Sequence, residues 1–494
     1  MNYKLTIRIL GVISDLLAVA CFISLGFALV QHESMTIIYM WSGMIVCLGA
    51  IGISNIIARY VSKKIDTTKL NAKTGFITLG ISWVFASLVG AIPFMFYKIP
   101  GIENYADAFF ESASAFSGTG ASLALNADTI PQSLQIFRGI SQWLGGMGIV
   151  VLITALLGKD ESMSSPIFNA EMPGPSKGKL VSKSRVNARI LYLIYIALTV
   201  GEFLALYIGS LVGTGATEEM TAFDCVFHSL TTTATGGFST KQASIGAFGS
   251  LYYEIVICVF MFLCMANFNL YFIILKGGIK NIIRDEELRT MFLLMVVNIF
   301  AISGVLFYEN FYPTFAEALR YGSFQVISTM STTGYATKNL LDWPAFAKVL
   351  LLGMMFIGGS AGSTSGGLKM SRFIILMKSG FRGIKTTAFP NRVISIRMSG
   401  KPVETDLSHS IRNYFLTYVL IYIFSLALVV LLTPGEDFLD LSISVASCFN
   451  NNGPGVFANM HWVTKLILAF DMLAGRLELF PILLLFMPKA WKRF

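Results

Sequence analysis

Long apolar runs separated by short charged stretches dominate the chain. They fall near 7–31, 36–60, 74–97, 134–157, 189–212, 251–275, 291–310, 345–377, 412–432 and 463–488. Each approaches or exceeds the roughly 20 apolar residues that a bilayer crossing needs, so the pattern predicts an all-α integral membrane protein with ten transmembrane helices. The run at 345–377 is too long for one straight crossing. It is interrupted by Gly358, Gly359, Ser360, Ala361, Gly362, Ser363, Thr364, Ser365, Gly366 and Gly367. Irregular backbone at membrane depth survives only where it lines water or packs within protein, so a broken helix is expected there.

Four further stretches, 107–122, 224–239, 321–336 and 440–455, are only semi-apolar and too short to cross, and each ends in a Gly-rich turn. Stretches of about 10–14 apolar residues suit re-entrant segments better than spans. Aligned on Gly120, Gly237, Gly334 and Gly453, the four share a register. Asp107, Asp224, Tyr321 and Asp440 stand thirteen residues before the glycine, and Ser114, Thr231, Ser328 and Ser447 six before it. The repeat predicts one short helix with a capped start, written four times. Each unit is then a span, a short re-entrant helix, a Gly-centred turn and a second span, with glycine intervals of 117, 97 and 119 residues.

Composition agrees with a membrane protein and excludes a set of soluble domains: 54% of the 494 residues are hydrophobic, 13% are charged, and mean hydropathy is +0.67. The formal net charge of +9 does not point to nucleic acid, because the basic residues follow topology. With ten alternating spans, the N-terminus, 61–73, 158–190, 276–289, 378–412 and 489–494 share one side and hold 26 of the 37 lysines and arginines. The positive-inside rule makes that side, and both termini, cytoplasmic. Cys21, Cys47, Cys225, Cys258, Cys264 and Cys448 form no CxxC pair and read as small buried apolar residues. Lys4 and Arg8 precede the first apolar run as in a signal peptide, but that run continues to about Val30, so it reads as an uncleaved span.

Four units around one axis answer a chemical need. A dehydrated alkali cation requires oxygen ligands from all sides, and a ring of backbone carbonyls supplies them without charged side chains. Glycine reaches the dihedrals that turn consecutive carbonyls inward and has no Cβ to block the path. The candidate ring residues are Gly118, Thr119 and Gly120; Thr235, Gly236 and Gly237; Thr332, Thr333 and Gly334; and Asn451, Asn452 and Gly453. No carboxylate lies among them, which favours a monovalent ion over a divalent one. The short helices would aim their negative C-terminal ends at the same point.

Four span, pore-helix and span units after two extra N-terminal spans resemble the Trk/Ktr/HKT superfamily of K⁺ transporters, and the extra spans resemble its TrkH branch. The four registered pore loops, the Gly/Ser break in the third unit and Arg476 carry the resemblance over essentially the whole chain. It implies two extra helices in 1–70 and pore repeats at 71–160, 185–280, 288–380 and 408–494, arranged with pseudo-fourfold symmetry. It further implies a homodimer in the cell inner (plasma) membrane, and inward K⁺ passage through one selectivity filter coordinated by carbonyls around Gly120, Gly237, Gly334 and Gly453. K⁺ is then the metal bound and the ion transported, with no organic cofactor in this chain. Two departures stand out. The family's first filter commonly reads Thr-Thr-Gly, where glycine at 118 is expected to loosen the strand, and the fourth carries an Asn run. Both keep open K⁺ symport with Na⁺ or H⁺, or a weakly selective Na⁺/K⁺ pathway.

The resemblance also implies that Gly358 through Gly367 form an intramembrane gate with Lys369 just after it, and that the Arg476 guanidinium raises the barrier to cations below the filter. Close helix packing through small residues and a structural pair of Arg476 with Asp471 or Glu478 are the plainer readings. The loops at 158–190 and 378–412 carry thirteen basic residues. Topology and attraction to anionic membrane lipids account for them at about 1 kcal/mol each, and the resemblance adds docking of a cytoplasmic ring-forming nucleotide-binding regulatory subunit. The chain has no P-loop of its own. His32, His228, His409 and His461 are scattered, with His228 expected to pack within the second pore helix, and no His/Asp/Glu cluster supports an enzyme.

Overall fold

The computed structural model describes residues 3–31, 37–61, 72–148, 151, 184–275, 284–392, 394–458 and 460–491. His32, and the parts of the basic segments 61–73, 158–190 and 276–289 that were expected to face the cytoplasm and fall outside these ranges, lie outside the described residues. Helices α1 (Tyr3–Val30), α2 (Ile37–Val61) and α3 (Ala72–Phe96) come first and pack on one another. The first short helix, α4 (Tyr105–Ser117), follows with α5 (Gln132–Gly146). The second unit is α6 (Ser184–Val212), α7 (Ala222–Thr233), α8 (Leu251–Met265) and α9 (Phe268–Leu275). The third is α10 (Glu286–Tyr308), α11 (Phe315–Met330), α12 (Ala345–Ile357) and α13 (Met370–Ala388). A two-residue hairpin, β1 (Arg397–Met398) with β2 (Lys401–Pro402), leads into α14 (Thr405–Leu432), α15 (Phe438–Asn450), α16 (Trp462–Arg476), α17 (Phe480–Leu485) and α18 (Pro488–Trp491).

Among the described residues six helices, α1, α2, α3, α6, α10 and α14, are long and apolar enough to cross a membrane, and the bent pair α8 and α9 would make a seventh. Their outer faces carry large apolar side chains such as Ile56, Leu211, Val297 and Phe424, all exposed, as a lipid-facing surface requires. The chain is therefore a multi-pass membrane protein.

The helices that follow the four Gly-rich turns differ from expectation. Most of the run 134–157 beyond α5 lies outside the described residues, whereas 251–275 and 463–488 predict continuous spans, yet α8 and α16 each stop after 15 residues and α12 after 13. At 1.5 Å per residue these reach only about 20–22 Å, short of a bilayer core of about 30 Å. The chain bends by 93° between α8 and α9 and turns at Glu478 and Leu479, both with positive φ, between α16 and α17. The break expected in one unit thus recurs in the second and the fourth.

The four short helices α4, α7, α11 and α15 carry the capped starts that the register predicts, with one exception. Asn104 with Asp107 and Thr221 with Asp224 form capping boxes, and Asp437 accepts from the Asp440 amide. In the third unit the cap is Thr314 with Glu317 at the third helical position, so α11 starts one turn earlier and Tyr321 lies inside it. Ion pairs then tie three of the four short helices, α4, α15 and α11, to the preceding unit. Lys465 of α16 meets Asp107 at 2.7 Å, Lys348 of α12 meets Asp440 at 2.9 Å, and Glu254 of α8 meets Arg320 of α11 at 2.7 Å with the charges exchanged. All six cysteines are free thiols, and the Cys21 and Cys47 sulfurs lie 3.6 Å apart between α1 and α2.

Candidate functional site

Every short helix ends in the same way. Gly118, Thr235, Thr332 and Asn451, two residues before the aligned glycines, all adopt left-handed backbone, with φ of 69°, 51°, 57° and 55°. Their amides donate to Ala115, Thr232, Thr329 and Cys448, and the next amides donate to Ser114, Thr231, Ser328 and Ser447. This pair of bonds is the Schellman motif, and it explains the conserved spacing of six inside the repeat. Glycine at 118 occupies the cap position where it avoids the roughly 1–2 kcal/mol that a side chain costs in left-handed backbone. Its backbone conformation matches that of its counterparts.

The aligned glycines have φ of 82°, 74°, 82° and 101°, whereas Thr119, Gly236, Thr333 and Asn452 before them do not take positive φ. The four segments close on one another in a ring. A Cβ on Gly120 would overlap the Gly236 carbonyl oxygen, one on Gly237 that of Thr333, one on Gly334 that of Asn452, and one on Gly453 that of Thr119. The twelve predicted ring residues are therefore brought together, each unit abutting the next in chain order and the fourth returning to the first.

Side chains brace the ring from outside. The Asn run accounts for two of these braces: the Asn451 amide donates to Thr119 Oγ1 at 2.9 Å in the first unit, and the Asn452 amide to the Thr329 carbonyl at 2.6 Å in the third. The Tyr335 hydroxyl bonds Thr231 in the second unit. Gln142 of α5 donates to the Gly236 carbonyl at 2.6 Å, a contact that no sequence register signals.

Residues 358–367 lie against the ring. The Gly366 amide donates to Thr332 Oγ1 at 2.6 Å, and a Cβ on Gly366 would overlap the Asn450 carbonyl. The segment is also held to the α8–α9 bend, where the Ser360 amide donates to Met265 at 2.9 Å and the Phe268 amide donates to Gly362 at 3.1 Å. Lys369, with φ of 77°, donates back to the Ser365 carbonyl. Arg476 donates to the Thr364 carbonyl at 2.7 Å and to Gly145 at 2.6 Å, so it joins the loop of the third unit to the end of α5 in the first. Asp471 and Glu478 have other partners, since Asp471 accepts from Ser425 and Glu478 pairs with Arg372. Beneath the ring a small cavity is lined by Trp83, Gly146, Gly366, Lys369 and Arg476. His228 is buried in α7, as expected, and its Nδ1 meets the Asp224 carbonyl at 2.8 Å.

Among the described residues no group of three or more His, Cys, Asp or Glu side chains is placed to hold a metal ion. The oxygen-rich feature is the carbonyl ring. Comparison with known proteins bears on what it does. Residues 48–493 match the TrkH family model, described as cation transport protein. The Trk system potassium uptake protein TrkH of Salmonella typhimurium is 37% identical over 432 residues, covering 86% of this chain and 87% of that protein. Its namesake from Halomonas elongata is 30% identical, with both chains covered completely. The crystal structure of the potassium transporter TrkH from Vibrio parahaemolyticus superposes with a TM-score of 0.85 at 30% identity, covering 100% of each chain. With a family model matched over most of its length and relatives covered nearly end to end, this chain is a transporter rather than an enzyme and belongs to the TrkH family of cation transport proteins.

Proposed function

We propose that the protein takes up K⁺ through a single pore on a pseudo-fourfold axis, with the carbonyls around Gly120, Gly237, Gly334 and Gly453 as its selectivity filter. The observation that carries this reading is the closed ring, in which each glycine faces the carbonyl one residue before the next glycine. Such carbonyls replace the hydration shell of a monovalent cation, and four helix C-termini pointing at the ring favour positive charge. The potassium uptake named for the relatives supports K⁺ as the ion. The broken second helices suit a pore, since their freed backbone groups then face water or the gating loop and not lipid. With α1 and α2 as the extra pair, the four units account for ten crossings, and both termini lie in the cytoplasm by the distribution of basic residues.

Transport runs down the electrochemical gradient. One charge gains about 2.3 kcal/mol per 100 mV, so roughly 150 mV offsets an inward concentration ratio of about 300-fold at 1.4 kcal/mol per tenfold. No step needs a nucleotide in this chain. Residues 358–367, Lys369 and Arg476 form the gate, in the closed position here because the loop abuts Thr332 and Arg476 bridges two units. The thirteen basic residues of the cytoplasmic segments suit docking of a ring-forming nucleotide-binding subunit that controls the loop, and the protein works as a homodimer. Flux of K⁺ into liposomes holding the purified protein tests the reading: uptake that follows an imposed potential supports it, and uptake indifferent to potential removes it.

A further inference from the structure

The four short helices carry a polar side chain at one more shared position, nine residues before each ring glycine: Glu111, His228, Gln325 and Ser444. All four are buried, with at most 1% exposure for the first three. In three units this residue reaches the strand leaving the ring, two or three residues after the glycine. Glu111 accepts from Ser122 Oγ at 2.8 Å and from the Leu123 amide at 3.0 Å. His228 Nε2 meets Ser239 Oγ at 3.0 Å, and because Nδ1 donates to the Asp224 carbonyl, Nε2 is the acceptor. Ser444 Oγ accepts from the Val456 amide at 2.8 Å. A carboxylate, an imidazole and a hydroxyl thus make the same link.

The first unit reinforces its link. Arg138 of α5 donates to Glu111 at 2.8 Å and to Ser122 at 3.2 Å, and its guanidinium lies 3.9 Å from the ring centroid of Phe238, the residue after Gly237. One buried ion pair therefore touches the outgoing strands of two units. The third unit lacks the link: both amide atoms of Gln325 and the hydroxyl of Thr337 are without partners among the described residues. Its strand is held by a different bond, from Ser328 Oγ to the Tyr335 carbonyl at 2.7 Å.

We propose that Glu111, His228 and Ser444 are positioning residues for ion selectivity, linking each short helix to its outgoing strand so that the carbonyl ring keeps its width. This rests on reading the ring as a filter. None of the three touches the ion. They act by resisting the widening or narrowing that a different cation would demand, while the third unit relies on the Ser328 bond to Tyr335 instead.

The test is the permeability of K⁺ relative to Na⁺ for the full-length protein in liposomes. Ser444→Ala deletes one link with little change of volume and should lower the ratio about fivefold. Glu111→Gln should lower it tenfold or more, tenfold being equivalent to about 1.4 kcal/mol. Ser444→Thr, which keeps a hydroxyl, should restore the parent ratio, and Gln325→Met, which removes no link, should leave it unchanged. A general loss of fold would instead depress K⁺ flux and the melting temperature together without changing the ratio. If Glu111→Gln does not assemble, Ser444→Ala decides the matter. A parent-like ratio in Ser444→Ala, or an equal fall in Gln325→Met, overturns the proposal while a selective parent still supports the filter. A parent with no preference for K⁺ overturns the filter reading itself.

Discussion

Replacing Thr332 by valine removes one atom that joins the loop at 358–367 to the ring. Thr332 Oγ1 accepts from the Gly366 amide at 2.6 Å, and both residues are buried. Valine keeps the branched shape but offers a methyl where the acceptor stood, so in the closed loop the Gly366 N–H is left without a partner. A buried donor without an acceptor costs about 1–3 kcal/mol. In the open loop the same amide reaches water, so the cost falls on the closed state alone. At 1.4 kcal/mol per tenfold, the ratio of open to closed rises about 5- to 150-fold. The assay is basal K⁺ efflux from liposomes with no cytoplasmic partner present, read beside the K⁺ to Na⁺ ratio. The ratio should hold, because the Thr332 carbonyl and its left-handed backbone are untouched. Basal efflux equal to that of the parent would refute the claim that the loop closes the pore through this contact.

Other consequences follow from the same geometry. Gly334→Ser should lower K⁺ over Na⁺ discrimination, because its Cβ meets the Asn452 carbonyl and its φ of 82° disfavours a side chain; parent-like permeability ratios would remove that glycine from the filter. Arg476→Gln, which withdraws the charge beneath the ring and one of the guanidinium's bonds to Thr364 or Gly145, should raise basal flux and should do so without altering the ratio. Lys465→Met leaves the buried Asp107 carboxylate only its backbone donors at Glu103 and Asn104 and should destabilise the protein, seen as a lower melting temperature in detergent; an unchanged melting temperature would mean the 2.7 Å pair carries little of the contact between the first and fourth units.

Much of this arrangement was legible in the chain because it repeats. One glycine alignment placed Asp107, Asp224 and Asp440 in the first turns of three short helices, where the first two close capping boxes, and it aligned Ser114, Thr231, Ser328 and Ser447, whose carbonyls take the longer Schellman bond. Tyr321 broke the pattern, and the cause is visible: Glu317, one turn earlier, is the third helical residue of a longer helix. The breaks after α8 and α16 were invisible to hydropathy, because Ala266, Asn267 and Leu479 are too few to end the apolar runs that they interrupt. They persist because distant groups satisfy the freed backbone, as where the Phe268 amide finds the Gly362 carbonyl. The partners of Arg476 were equally hidden. Asp471 and Glu478 are its near neighbours in sequence, yet the carbonyls it holds belong to Gly145 and Thr364, over a hundred residues away.

The most direct test of the central claim is ion flux through the purified protein in liposomes under an imposed potential, comparing K⁺, Rb⁺ and Na⁺ while Na⁺ and H⁺ gradients are varied. A carbonyl ring open to a passive pore predicts K⁺ and Rb⁺ flux that follows the potential, exceeds Na⁺ flux and ignores the other gradients. Flux that requires a Na⁺ or H⁺ gradient, or that carries Na⁺ as readily as K⁺, would contradict it.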